Sequence, residues 1–191
     1  MSEPTERIAP LSPPYPDRAA GWLERAMPGR APVDPLRLFR IFVKHPALAD
    51  AMQPLGAHLL GAPAVAGRER ELLILRTCAR CGSEYEWGVH VTAFARRFGL
   101  TDEKIAGTVH WSWEDERWSS KERTVLRLAD ELHQSASASD ELWRELSAHF
   151  DAAQIVELLV LVGFYHSISY LTNALQVANE EGAERFPRPQ S

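Results

Sequence analysis

The chain has 191 residues, of which 45% are hydrophobic and 25% charged, proportions of an ordinary globular protein with one substantial core. A formal net charge of -5 and a pI near 5.8 leave no basic field for phosphate-driven nucleic-acid binding, and two cysteines exclude a disulfide framework. Met1 to Asp17 carries acids and five prolines instead of a basic start followed by an apolar stretch, and the longest apolar run, Ile155 to Phe164, is broken by Glu157. That run falls far short of the about 20 residues a spanning helix requires, so the expectation is a soluble, cytoplasmic protein without membrane partners.

Residues 1–18, rich in Pro and Ser, read as an extended arm that packs on a partner subunit or stays mobile. A single helical domain is expected over 19–186, with 187–191 as a tail. From Asp34 onward Leu36, Leu38, Phe39, Phe42 and Val43 recur at three- and four-residue steps, and Pro46 to Leu60 continues with Ala51, Met52, Leu55 and Leu59. Arg68 to Arg80 is a strong helix closed by Gly82.

Ser83-Glu84-Tyr85-Glu86 has the form of a capping box and predicts a helix from there to about Phe98, ended by Gly99. Thr101-Asp102-Glu103 starts a short helix through Ile105, and Trp111 to Trp118, with three tryptophans among charges, reads as an irregular loop. Helical patterning resumes over Ser120–His133, Ser139–Phe150 and Ala152 to about Glu180, before Gly182 and Pro187. No segment sustains a period of two, so the fold class is all-α. Arg70 to His90 and Val156 to Tyr170 echo one another loosely, an apolar helix feeding an aromatic segment with a histidine, which fits two similar helical halves.

The residues with chemical potential cluster at Glu71, Ser83, Tyr85, Glu86 and His90. Glu86 and His90, four apart, share a helix face, and Glu71 reaches the same point if its helix folds back across Gly82. Two carboxylates and an imidazole in a partly dry pocket form a proton relay in which one group is poised near neutrality. Against this stands a plain structural reading, a solvated helical pair with Glu86 serving the cap. Cys78 and Cys81 form a C-x-x-C on the preceding helix, either as buried small side chains or as a redox pair. The histidines, including His110, His133, His149 and His166, show no ligand spacing, so no metal is expected. His166, Tyr165, Asn173 and the tryptophans read as packing or pocket wall.

The stretch from Glu71 to Leu100, Glu-Leu-Leu-Ile-Leu-Arg followed by Gly-Ser-Glu-Tyr-Glu-Trp-Gly-Val-His, resembles the core motif of the carboxymuconolactone decarboxylase and AhpD alkylhydroperoxidase superfamily. Glu71 and His90 fall on the superfamily's glutamate and histidine, while Ser83 and Glu86 stand where its peroxidase branch has two cysteines. The Tyr-Glu-Trp-x-x-His form is similar to members lacking the redox pair. The resemblance implies an AhpD-like helical bundle, a homo-oligomer (dimer, trimer or hexamer) and a small-molecule substrate.

For this chain it implies cofactor-free acid–base chemistry on a small oxygenated organic acid or lactone. His90 would transfer the proton, Glu86 orient it, Glu71 tune the pair, Tyr85 donate to a developing oxyanion, and Ser83 and Trp87 contact substrate. Two alternatives stay open: a thiol peroxidase built on Cys78 and Cys81, and a non-catalytic oligomeric binding protein.

Overall fold

A computed structural model describes residues 6–27, 34–61 and 63–188. Among them are nine α-helices and no strand: α1 (Asp17–Ala26), α2 (Arg37–Phe42), α3 (Pro46–Gly61), α4 (Gly67–Arg80), α5 (Glu84–Ala93), α6 (Asp102–His110), α7 (Ser120–Ser135), α8 (Asp140–His149) and α9 (Ala152–Leu175). A 3₁₀ turn, Ala95–Phe98, follows α5. The fold is the all-α bundle expected from the sequence.

Helix α4 is the axis. Every residue from Arg70 to Cys78 is buried, because α5, α6, α7 and α9 pack around it. A helix buried on every side must have its charged members paired there. Arg76, 1% exposed, makes two 2.7 Å bonds to Asp130 on α7 and donates to the carbonyls of Thr108 and Trp111 at 2.9 and 2.8 Å. Leu72, Leu73, Ile74 and Leu75 meet Leu126, Leu128, Leu142, Leu146, Leu158 and Leu161 in one core cluster, while a second joins α1 and α2 to Tyr85, Val89 and Ile168. Helix α9 is long and apolar enough to cross a membrane by length and composition, and here it lies against α4, α5 and α8.

Several local expectations give way to tertiary contacts. Helix α1 is an addition, resting on Ala19, Trp22 and Leu23, whose three- and one-residue steps place them on one face. Residues 6–16 lie on their own chain: the Arg7 amide donates to the Leu175 carbonyl at 3.0 Å and that of Leu11 to Arg40 at 3.1 Å. Residues 1–5 of the expected arm and 189–191 of the expected tail lie outside the described residues.

The helix expected to reach Phe98 stops at Ala93 and tightens into the 3₁₀ turn, which Gly99 closes at φ 78°. Helix α6 continues past Ile105 to His110, and α9 ends at Leu175 because Gln176 takes a left-handed conformation, φ 53°. The Val177 amide then satisfies the Thr172 carbonyl at 3.0 Å, a closure that ordinarily relies on glycine.

Candidate proton-transfer site

The capping box expected at Ser83 and Glu86 does not form. The Ser83 hydroxyl shares a 2.8 Å hydrogen bond with Thr172 of α9, 89 residues away, and no side chain caps α5. Capping boxes form instead at Ser119–Glu122 and Asp151–Gln154. Glu86 is thereby released to face along its own helix, and one carboxylate oxygen lies 3.5 Å from His90 Nε2 one turn on.

Glu71, on α4, closes the other side of the imidazole. Its Oε2 is 2.7 Å from His90 Nδ1, and its Oε1 accepts from Arg70 Nε at 3.0 Å. Glu71 is wholly buried and His90 is 2% exposed. Burial favours the neutral imidazole, but the carboxylates of Glu71 and Glu86 outweigh it and raise the His90 pKa to about 9. With His90 protonated, Arg70 and His90 balance Glu71 and Glu86, and no net charge is stranded in the interior.

The third member is Tyr165 on α9, whose hydroxyl lies 2.9 Å from His90 Nε2, the rings meeting edge-on with centroids 5.0 Å apart. Burial, then the two carboxylates, push the Tyr165 phenol well above its usual range, so it stays protonated. The Glu71 contact assigns the Nδ1–H to the carboxylate. Nε2 is left to exchange a proton with Tyr165 and Glu86.

His90, Glu86 and Tyr165 line a cavity of about 500 Å³. Its walls include Trp22, Phe39, Met52, Phe94 and Phe164, with Arg25 and Arg97 also lining it. The site therefore joins a desolvated imidazole–carboxylate–phenol relay to an apolar chamber with cationic side chains, a setting for moving a proton to or from a small organic molecule.

Residues 46–131, which hold Glu71, Glu86 and His90, match the carboxymuconolactone decarboxylase family model. Over that stretch the chain is similar to the carboxymuconolactone decarboxylase family, and solved AhpD-like and peroxidase-related proteins share its fold. A peroxidase-related protein from Silicibacter sp. TM1040 is similar over 98% of this chain and 100% of its own, with a TM-score of 0.80 at 17% identity. The debrominase Bmp8, solved with 2,3,4-tribromopyrrole, is similar over 94% of each chain, with a TM-score of 0.73 at 15% identity. The Bacillus subtilis protein YdfG is 28% identical over 108 residues, covering 56% of this chain and 72% of its own.

Within this AhpD-like fold, the structure brings together Glu71, Glu86 and His90 and sets the other sequence-derived candidates elsewhere. The Tyr85 hydroxyl donates to Glu180 and accepts from the Leu38 amide at 3.1 Å. Trp87 Nε1 donates to Thr108 Oγ1 at 3.0 Å in the core. Ser83, Tyr85 and Trp87 are not among the cavity's lining residues. Cys78 is fully buried, with its thiol held well above the ordinary value by that burial, by the Glu86 and Glu71 carboxylates and by Cys81; Cys81 is half-buried with its thiol raised too.

Tyr165 and Arg70 complete the relay, and the sequence carried no local signal for them: Tyr165 stands 75 residues from His90. His166, one position on, points elsewhere and meets His133 and Cys81.

Proposed function

We propose that the chain is a cofactor-free acid–base enzyme of the carboxymuconolactone decarboxylase type, acting on a small oxygenated organic acid or lactone. The observation that carries this reading is the two-sided hold on His90, with buried Glu71 on Nδ1 and Nε2 between Tyr165 and Glu86 in the lining of a largely apolar cavity. The carboxylate of Glu71 fixes the ring and favours the imidazolium, and Tyr165 presents the proton to the chamber. Arg25 and Arg97 supply positive charge for a substrate carboxylate.

With a lactone acid, the carbon–carbon bond to the departing carboxylate breaks and carbon dioxide leaves. The electron pair enters the dienolate of the ring, and the proton from the His90–Tyr165 relay ends on carbon. Water returns a proton to His90. Thiol peroxidase chemistry draws less support, because a buried, protonated Cys78 is the unreactive state of a cysteine.

The test is carbon dioxide release across a panel of unsaturated lactone acids, comparing wild type with His90→Asn. The expected result is turnover that falls roughly 10²–10⁴-fold in the variant. A rate unaffected by His90→Asn sinks the reading. A homo-oligomer belongs to the same proposal: Val156 and Val160, one turn apart on α9, are 62% and 42% exposed and give a subunit contact an apolar stripe. Sedimentation equilibrium showing only monomer would remove that part.

A further inference from the structure

Away from the proton relay, three ligand-type side chains from three helices converge. Cys81 follows the last turn of α4, His133 lies in the last turn of α7, and His166 is on α9. His133 Nδ1 is 3.1 Å from His166 Nε2 and 3.8 Å from Cys81 Sγ, and the ligand atoms all lie within 4.8 Å of one another. We propose that Cys81 Sγ, His133 Nδ1 and His166 Nε2 form a binding site for one zinc-class transition-metal ion at the junction of α4, α7 and α9.

The geometry matches what such an ion demands. Zinc–nitrogen bonds of about 2.0–2.1 Å and zinc–sulfur bonds of about 2.3 Å at tetrahedral angles separate neighbouring ligand atoms by roughly 3.3–3.6 Å. The observed 3.1 and 3.8 Å bracket that range and the Cys81–His166 pair lies within 4.8 Å, so side-chain adjustment seats the ion. The donor set of one thiolate and two imidazoles suits zinc, copper and cobalt over magnesium or calcium.

The ligands are also oriented. His166 Nδ1 donates to the Val162 carbonyl at 2.9 Å, one turn back on α9, which leaves the Nε2 lone pair facing the other two ligands. His133 is exposed, so its ring proton moves to Nε2 at little cost when Nδ1 takes the metal. Cys81 releases its thiol proton to solvent on binding.

The scaffold holds the three positions without the ion. Asn173 of α9 donates to the Cys81 carbonyl at 2.7 Å, and Gly82, at φ 65°, turns the chain immediately after Cys81. Arg80 grips Asp130 through two 2.7 Å bonds, tying the end of α4 to α7 one turn before His133. A site on rigid, cross-linked elements loses little entropy on binding. Three protein ligands leave a fourth position to water, and the exposed edge at His133 gives entry. The site is separate from the proton relay, because consecutive residues such as Tyr165 and His166 diverge by about 100° around a helix.

Cobalt(II) titration of the chelator-stripped, reduced full chain tests this. One equivalent is expected to produce the ultraviolet thiolate-to-cobalt band and visible tetrahedral bands, all removed by competing zinc. Cys81→Ser is expected to abolish the thiolate band. His133→Ala and His166→Ala should each weaken binding tenfold or more, the order found even for outer-shell changes. His149→Ala and Cys78→Ala should keep the wild-type spectrum.

A second measurement needs no variant: zinc should protect Cys81 from alkylation in the native wild-type chain, read by mass spectrometry. Absence of both cobalt bands and zinc protection in the wild type overturns the proposal. So does a thiolate band that survives Cys81→Ser.

Discussion

Glu71 Oε2 and His90 Nδ1, nineteen residues apart in sequence and on different helices, lie 2.7 Å from each other in the interior. Only a chain reversal between α4 and α5 brings them together, and Gly82, whose φ of 65° suits glycine best, makes it. Glu71 is therefore the group that sets the charge of His90. Glu71→Gln keeps the shape and removes the charge, so the His90 pKa should drop from about 9 toward or below neutrality. Two-dimensional NMR of the imidazole across pH reads this directly. Activity should fall on the order of 10²–10⁴-fold, as when an amide replaces the carboxylate that orients a catalytic histidine. A His90 that still titrates near its wild-type value would mean Glu86 alone holds the proton.

Stability should carry the same signature. The folded pKa of His90, about 9, stands above the unfolded value of 6.5, so the folded state binds the proton more tightly. Its contribution is fully present below pH 6.5 and is lost as pH rises through about 9. Glu122 runs the other way. Lys104, the Ser119 amide and Arg68 outweigh burial and hold it at about 2, below the ordinary 4.5. Its contribution is present above pH 4.5 and lost as pH falls toward 2. Urea midpoints should decline on both sides of a plateau between these windows. Glu122→Gln should flatten the acid side, and Glu71→Gln the alkaline side.

Helix α4 was legible because its apolar and helix-favouring residues run without interruption, and Glu86 and His90 because four-residue spacing fixes a shared face whatever the surroundings. The capping motif at Ser83 misled for a specific reason: a local hydrogen bond competes with distant ones, and Thr172 of α9 takes the hydroxyl. The end of α9 was hidden because Gln176 occupies a conformation that sequence patterns reserve for Gly or Asn. Tyr165, Cys81, His133 and His166 acquire their roles from contacts 33 to 75 residues apart, which no local spacing encodes. Tyr85 illustrates the reverse: its position beside Glu86 suggested the site, yet its side chain leaves toward Glu180.

Tyr165→Phe separates proton delivery from packing. The ring is 2% exposed and edge-on to His90, and Phe preserves both features while deleting only the hydroxyl. Stability should change by about 1 kcal/mol, the usual net value of one hydrogen bond. Turnover should fall on the order of 10²-fold or more if the phenol relays the proton. A Tyr165→Phe variant with full turnover and wild-type stability would assign the proposed proton delivery to His90 or Glu86 directly.

Asp130→Ala should be the more damaging of two changes at one ion pair. Arg76 is buried on the central helix and makes both its carboxylate contacts to Asp130, while Arg80, 40% exposed, shares the same carboxylate from the surface. Removing Asp130 leaves a guanidinium in the interior with only the Thr108 and Trp111 carbonyls, a loss of about 3–5 kcal/mol. Arg80→Ala removes only the exposed partner and should alter stability by about 1 kcal/mol or less. Urea unfolding of the two variants gives the comparison, and near-equal midpoints would show that Arg76 does not depend on this carboxylate. His90 should keep its titration in both, since its partners lie on α4, α5 and α9 and neither variant touches them.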